Sequence, residues 1–405
     1  MKTGFLDFFT HAFKSVLSGN RTYTLWMFGL IVISMFGLNA LSRQIAHGLY
    51  TTGMGDEVSW GLYISNFAFL VGMAAAAVMM VIPAYIFKDE EIHKVVIFTE
   101  LWAIAALMMC LLFITADIGR PDRLWHMLPV IGIFHWPTSM LTWDVLVLNG
   151  YLFLNLYVCG YVLYRKYHGL KLVSKHYVPL VFLAIAWAPL IHTITAFLFQ
   201  GLGARPFWHT GLIAPRFLAS AFAAGPAFII LVFKVMDHFK CCKIHEEVIA
   251  KIRVIITVSL LANLLLVGSE LFTELYSGSE HSIHLAFLLG FHGSSVLAPW
   301  MWTAIVLNVI AAIILLSPVR QNPQFLTVAC VMIIVGIWVE KGLGFVISGF
   351  IPTPLGDFVQ YQPSLNELTV CFGILAFGLL VYTALLKVAI PIINGEELCH
   401  KENND

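Results

Sequence analysis

The stretch Asp117-Ile118-Gly119-Arg120-Pro121-Asp122-Arg123-Leu124-Trp125-His126 sets four charges and a histidine between two long apolar runs, 95–116 and 138–163. Each flanking run carries a single acid, Glu100 and Asp144, and is long enough to cross a bilayer, which takes ~20 largely apolar residues. The pattern is apolar run, short charged loop, apolar run, and it reads as two membrane helices joined at one water-facing edge. Charge beside or within hydrocarbon costs roughly 2.5–3.5 kcal/mol on insertion scales, so it marks a function more often than an accident.

Working outward, the same pattern repeats. Ten segments qualify as spans, at about 23–42, 60–86, 95–116, 138–163, 178–200, 212–235, 253–275, 295–317, 325–347 and 366–390. Residues 282–298 read as a short re-entrant or interfacial piece. Composition agrees: 60% of the 405 residues are hydrophobic and 11% charged, with a mean hydropathy of +0.86. That excludes an ordinary soluble domain and predicts an all-α integral membrane protein. Lys+Arg and Asp+Glu both number 23, so nothing supports a nucleic-acid partner. Connections reach only about 20 residues, too few to bury a core of their own. The first apolar run follows some 22 residues containing Lys2, Lys14 and Arg21 and has no small-residue cleavage site, so it reads as a retained helix.

Lys and Arg divide unevenly between the two sides. The amino terminus, the connections near 87–94, 164–177, 234–253 and 318–324, and the carboxyl tail hold 17 of them, against six opposite (Arg43, Arg120, Arg123, Arg205, Arg216, Lys341). By the positive-inside rule both termini are expected in the cytoplasm, and the 117–126 loop on the periplasmic or outer face. The seven cysteines form no C-x-x-C pair and no C-x-x-C-H, which argues against covalent haem, four-cysteine iron–sulfur clusters or a disulfide scaffold. No metal site is expected.

At ~1.5 Å of rise per residue, depth follows from position. Asp144 falls in the outer half of span four, His192 slightly outside the middle of span five, Glu270 and Glu274 in the outer third of span seven, with Glu340 and Lys341 at similar depth in span nine. Glu100 alone lies in the inner half. Each has a bland reading. Lys341 and Glu270 are as well explained by a structural ion pair as by catalysis, and His192 by a hydrogen-bonded packing role. Glu100 is read as hydrated near the inner interface, with an inner half-channel through Asn155 and Asn149 as its alternative. Asn66, Asn149, Asn155, Asn263 and Asn308 serve as interhelical glue. Arg205-Pro206-Phe207-Trp208-His209 partly echoes Arg120-Pro121 to Trp125-His126, as a second docking loop or by chance.

Asp144 resists dismissal: it follows Trp143 directly and lies near a loop with two arginines, Asp117 and His126. Oxidising a quinol releases two protons with two electrons, so its hydroxyls need proton acceptors such as His or carboxylate. Its ring and tail need an aromatic, apolar wall open to lipid. Trp125, Trp136, Trp143, Tyr63 and Phe67 are candidates for that wall. A b-type cytochrome needs a second histidine at matched depth, and His192 lacks an evident mate. A transporter reading lacks convincing broken-helix pairs.

Trp60-Gly61-Leu62-Tyr63-Ile64-Ser65, the 117–126 loop and Trp143-Asp144 resemble the NrfD/PsrC family of quinone-interacting membrane subunits, over essentially the whole chain. Leu62-Tyr63-Ile64-Ser65-Asn66-Phe67, Trp143 to Tyr151 and Thr195-Ala196-Phe197 are most similar to its DsrP branch, with the membrane component of the high-molecular-weight cytochrome complex as close competitor. The resemblance implies a chain free of haem and iron–sulfur clusters. It would be built of two four-helix bundles, spans two to five (60–200) and six to nine (201–347), flanked by span one (1–59) and span ten with its tail (348–405). It further implies menaquinol or menaquinone in the first bundle near the periplasmic face, with Asp144, His126 and Asp117 as proton-exchanging groups. Tyr63, Asn66, Arg120, Trp125 and Trp143 would hold the quinone, while Glu100, His192, Glu270 and Lys341 would be proton-path candidates. The implied partners are a periplasmic iron–sulfur subunit, a multihaem cytochrome c, and further membrane and cytoplasmic subunits.

Overall fold

The structure is a computed structural model describing residues 3–128, 130–242, 244–278, 282–291 and 295–395. Among the described residues, ten helices are long and apolar enough to cross a membrane, as the sequence predicts. A short helix α1 (Thr3–Leu17) precedes span one, α2 (Arg21–His47). Span two is split into α3 (Leu62–Ala75) and α4 (Val78–Tyr85). Spans three to seven are α5 (Glu90–Asp117), α6 (Met140–Tyr167), α7 (Ser174–Gln200), α8 (Ile213–His238) and α9 (Glu246–Ser277). A short α10 (Ser282–Leu288) falls within the expected re-entrant piece, and α11 (Ala298–Leu316) is span eight. Span nine runs from α12 (Pro323–Ile337) through a π-helical turn, Trp338–Gly344, into α13 (Phe345–Ser348). Span ten is α14 (Leu365–Asn394).

Three features depart from the sequence expectation. Most spans extend a few residues beyond their apolar runs, because polar caps such as Asn20, Asp89, Asn322 and Ser364 accept the orphan N–H groups of the first turn. Helix α1 is amphipathic: Phe5, Leu6, Phe9, Phe13 and Leu17 are exposed along one stripe, while Phe8 packs on Tyr164 and Tyr167 at 5.7 and 5.5 Å. That is the character of a helix lying in the membrane interface. Spans two and nine are interrupted, at Ala76–Ala77 and at the π turn.

Burial ranks the spans. Every residue of α3 is buried, as expected of a helix apolar all round, whereas α2, α9 and α11 leave Phe28, Leu265 and Ile313 facing outward where lipid lies. Within spans two to five, α3 packs on α5 and α7, α5 on α6, and α6 on α7. Within spans six to nine, α8 packs on α9 and α12, and α11 on α9 and α12. The two groups meet where α3 and α7 contact α8, and α3 contacts the π turn. Spans one and ten pair with each other, and span ten packs against α5. They cross at Gly37 and Gly373, where a Cβ on either would lie 2.4 Å from the other's Cα. Only glycine permits that approach.

Candidate functional site

Facing turns of α6 and α7 hold Asp144. Its side chain is fully buried; Oδ1 accepts a hydrogen bond from Thr195 Oγ1 at 2.8 Å, and Oδ2 is buried without a protein partner. Thr195 Oγ1 also lies 3.0 Å from Ile191 O, one turn back on α7. One hydroxyl hydrogen serves either acceptor, not both. With Asp144 ionised it points at the carboxylate; with Asp144 protonated it can turn to Ile191 O and accept from the acid. The pair therefore accommodates both protonation states by rotating one hydroxyl.

The 117–126 loop is arranged differently from the expectation. Asp117 ends α5, and its Oδ1 is buried without a partner. Beyond it the chain forms a 3₁₀ turn, Pro121–Met127, and the Arg120 guanidinium donates to Asp122 through Nε (2.9 Å) and Nη2 (2.8 Å). That contact holds the Asp122 carboxyl below its usual range. Arg120 is thus spent within its own loop, and no hydrogen bond or ion pair joins Arg120, Arg123 or His126 to Asp144 among the described residues. His126 is exposed, with Trp125 half-exposed against its ring at 3.8 Å between centroids. Trp143 donates Nε1–H to Pro137 O at 2.9 Å, and its ring meets Trp136 at 5.1 Å. The four rings thus form two pairs, Trp125 with His126 in the 3₁₀ turn and Trp136 with Trp143 at the start of α6.

Tyr63 and Asn66 sit deeper than a lining role suggests. Tyr63 is fully buried and donates to Gln44 Oε1 at 2.6 Å, while Gln44 Nε2 donates to Ala116 O at 2.7 Å, beside Asp117. Asn66 Nδ2 donates to Leu62 O (2.8 Å) and Cys371 Sγ (3.5 Å), and Oδ1 accepts from Trp338 Nε1 at 2.9 Å. The structure brings these two residues together with spans one, nine and ten. It does not join them by hydrogen bonds to Asp144.

Two residues that sequence reasoning passed over hold this corner. Gln44 is one, and Glu367 is the other. Glu367 is fully buried, accepting from Leu62 N (2.9 Å), Gly53 N (3.0 Å) and Tyr361 O–H. It anchors the 49–61 connection and the start of α3 to span ten. Ser364-x-x-Glu367 is a capping-box pattern and invites a purely local reading, although the glutamate is turned toward other elements.

A second polar cluster lies among the helices of spans six to nine. Arg216 (α8) donates to Glu270 (α9) and to Glu340 Oε1 at 3.2 Å, and Glu340 Oε2 also accepts from Asn263 (3.3 Å) and Asn308 (3.2 Å). The expected Lys341–Glu270 pair is not formed. Arg216 takes Glu270: Glu340 of the π turn points to Arg216, Asn263 and Asn308, while its chain neighbour Lys341 points to His192 of α7 and Phe217 of α8. Lys341 Nζ meets His192 Nε2, lies 3.2 Å from Phe217 O and stands 4.3 Å over the Phe217 ring. His192, read as a lone packing residue, therefore has a buried lysine as neighbour, while its Nδ1 is buried without a partner. Gly72 of α3 makes room: a Cβ there would lie 3.1 Å from the imidazole. Asn263 and Asn308 act as glue to a carboxylate, whereas Asn149 and Asn155 bond back to Val145 O and Tyr151 O of their own helix.

Glu100, read as exposed to water near the inner interface, is instead buried (6% exposed) and accepts from Cys159 Sγ at 3.8 Å.

Comparison with known proteins follows the same lines. A family model described as "Polysulphide reductase, NrfD" matches residues 50–347. The chain is 22% identical to a selenate reductase subunit of Mesobacillus selenatarsenatis, over 92% of this chain and 95% of that protein. It is 22% identical to the Hdr-like menaquinol oxidoreductase integral membrane subunit of Archaeoglobus fulgidus (89% and 92%). With the menaquinone reductase integral membrane subunit of Nitratidesulfovibrio vulgaris it shares 26% identity (92% and 93%). With the model matching well over half of the chain, this protein belongs to the polysulphide reductase NrfD family.

Proposed function

We propose that the chain is the quinone-reactive membrane subunit of a multi-subunit oxidoreductase, taking electrons from menaquinol, or giving them to menaquinone, near the outer face. The observation that carries the reading is Asp144: a buried carboxylate with one oxygen on a rotatable hydroxyl and the other unpartnered. Menaquinone, when bound, would supply two-electron, two-proton chemistry. This chain's part is to take up or return the protons and to seat the ring. Asp144 Oδ2 accepts a proton, and Thr195 rotates to suit. Asp117 Oδ1, the second buried orphan, fits the same task, with His126 at the exposed edge passing protons to water. Trp125 and Trp143, with Trp136, supply the aromatic wall, and Arg120 fixes the loop through Asp122. Tyr63 and Asn66 are better assigned to holding α3 in place than to touching the ring.

In this reading 60–200 carries the quinone site, 201–347 is a second bundle, and 1–59 and 348–405 flank them. Both termini lie in the cytoplasm, in the cytoplasmic membrane. The two named menaquinol and menaquinone relatives support the cofactor. Electrons would leave to a periplasmic iron–sulfur subunit and onward to a multihaem cytochrome c, with cytoplasmic chemistry on other subunits. The motif likeness to DsrP favours a link to sulfur metabolism. His192 lies one turn from Thr195 on α7, and in this reading His192, Lys341 and the Arg216–Glu270–Glu340 cluster would extend proton movement into the second bundle. Glu100 would serve from the inner side.

Asp144→Asn keeps the shape and the Thr195 contact but removes the proton acceptor. We expect it to abolish quinol-dependent reduction of the purified complex, with subunit assembly intact by gel filtration. Turnover unchanged in an assembled variant would overturn the assignment.

A further inference from the structure

The two Arg-Pro loops share a backbone and differ in what they do with the charge. Arg120 (φ −125°, ψ 68°) and Arg205 (φ −122°, ψ 85°) each precede a proline that opens a 3₁₀ turn. In the first loop the residue after proline is Asp122, which neutralises its arginine. In the second it is Phe207, buried against His284 and Phe345. Arg205 consequently has no carboxylate partner among the described residues. One Nη1–H donates to Phe350 O at 3.3 Å, and the guanidinium lies 4.6 Å over the Phe350 ring. Partial burial without a carboxylate pulls Arg205 below the usual arginine range.

This cation opens on a cavity of about 550 Å³ lined by Ala204, Pro206, Ile283, His284, Pro352 and Pro354. The volume suits a ligand of moderate size. The walls are largely apolar, and Arg205 is the one arginine or lysine among the described lining residues. The cavity lies just past the end of α7 (Gln200), before the start of α8 (Ile213) and just past α13 (Ser348), that is, at the outer ends of three spans. Span ends are where lipid headgroups are expected. Leu202, Ile283 and Leu355 are exposed around it. A guanidinium with no carboxylate among the described residues, at the ends of three spans and beside largely apolar walls, has the complement of an anionic amphiphile.

We propose that this cavity is a phospholipid site, in which Arg205 pairs with the lipid phosphate while Ile283, Pro352 and Pro354 cover the glycerol and first acyl carbons. Arginine's fork of donors matches a phosphate bidentately, which the single bond to Phe350 O leaves free to happen. A lipid so placed would tie α10 and the 349–364 connection to the end of α7.

The test uses the detergent-solubilised protein with whatever subunits co-purify. Phosphatidylglycerol is the probe, and retained lipid is counted by native mass spectrometry. A charge-assisted hydrogen-bonded pair is worth at least about ten-fold in affinity, so Arg205→Gln should weaken retention by that factor or more. Ala204→Trp narrows the cavity from an exposed position and should weaken it likewise, independently of charge. Arg43→Gln removes a cation from the same face and should leave retention unchanged. Retention unaltered in both cavity variants overturns the proposal. So does full displacement by millimolar inorganic phosphate, which identifies a free-anion site. Loss of a partner subunit from Arg205→Gln with lipid retained also overturns it, in favour of protein docking.

Discussion

Replacing Arg216 by glutamine strands two carboxylates where water cannot reach them. Arg216 is 8% exposed, and its guanidinium serves Glu270 and Glu340 together. Removing one partner of a buried pair costs about 3–5 kcal/mol, because the remaining charge is uncompensated. The loss is unequal here. Glu340 keeps the amides of Asn263 and Asn308, whereas Glu270 keeps no other donor among the described residues. Most of the penalty should therefore fall on Glu270. Arg216→Gln/Glu270→Gln should regain most of what Arg216→Gln loses, and Glu270→Gln alone should cost less than Arg216→Gln, since Arg216 still has Glu340. Coupling energies of ~0.5–3 kcal/mol are typical for residues in one network. The assay is reversible unfolding in mixed micelles titrated with SDS, followed by tryptophan fluorescence, on all three variants. If Arg216→Gln lies within about 0.5 kcal/mol of the parent, or the double variant is no more stable than the single, the ion triad does not hold this seam and the reasoning fails.

Two other substitutions probe the frame around the site. Gly37→Leu puts a side chain where Gly373 Cα already stands, an overpacking that costs about 1–3 kcal/mol and should shift the thermal unfolding of spans one and ten; unchanged melting would refute the close crossing. Asp89 caps α5 by accepting from Ile92 N at 3.1 Å and also accepts from Lys251 of α9, which holds its carboxyl below the ordinary value. Asp89→Ala should cost about 1 kcal/mol. Because the folded-state value is depressed, that difference should be constant above about pH 3.9 and vanish as pH falls through the folded value. A gap that instead grew on acidification would contradict the assigned ion pair.

What the sequence determined by itself is set by the solvent. A bilayer core leaves no partner for a bare backbone, so runs of apolar residues had to be helices. Their number followed from the count of apolar runs of spanning length. The charged 117–126 loop, Trp143-Asp144 and the adjacent Glu340-Lys341 were legible because charge in hydrocarbon is costly and therefore conspicuous. Glu367 and Gln44 were not, since at helix ends near water such residues are common and carry no local signal. Helix α1 escaped for a related reason: its apolar stripe is interleaved with Asp7, His11 and Lys14, so no continuous run marks it.

Partnership was decided only by tertiary structure. Each depth estimate fixes a height but not an azimuth, and buried groups choose partners by direction. Arg216, by position an ordinary interfacial arginine, meets Glu270, while Lys341 of the π turn meets His192 instead. The same blindness hid the opposite fates of Arg120 and Arg205, alike in sequence and backbone. One residue after each proline, an aspartate or a phenylalanine, and the walls that fold around it decide whether the guanidinium is quenched at once or left facing a cavity.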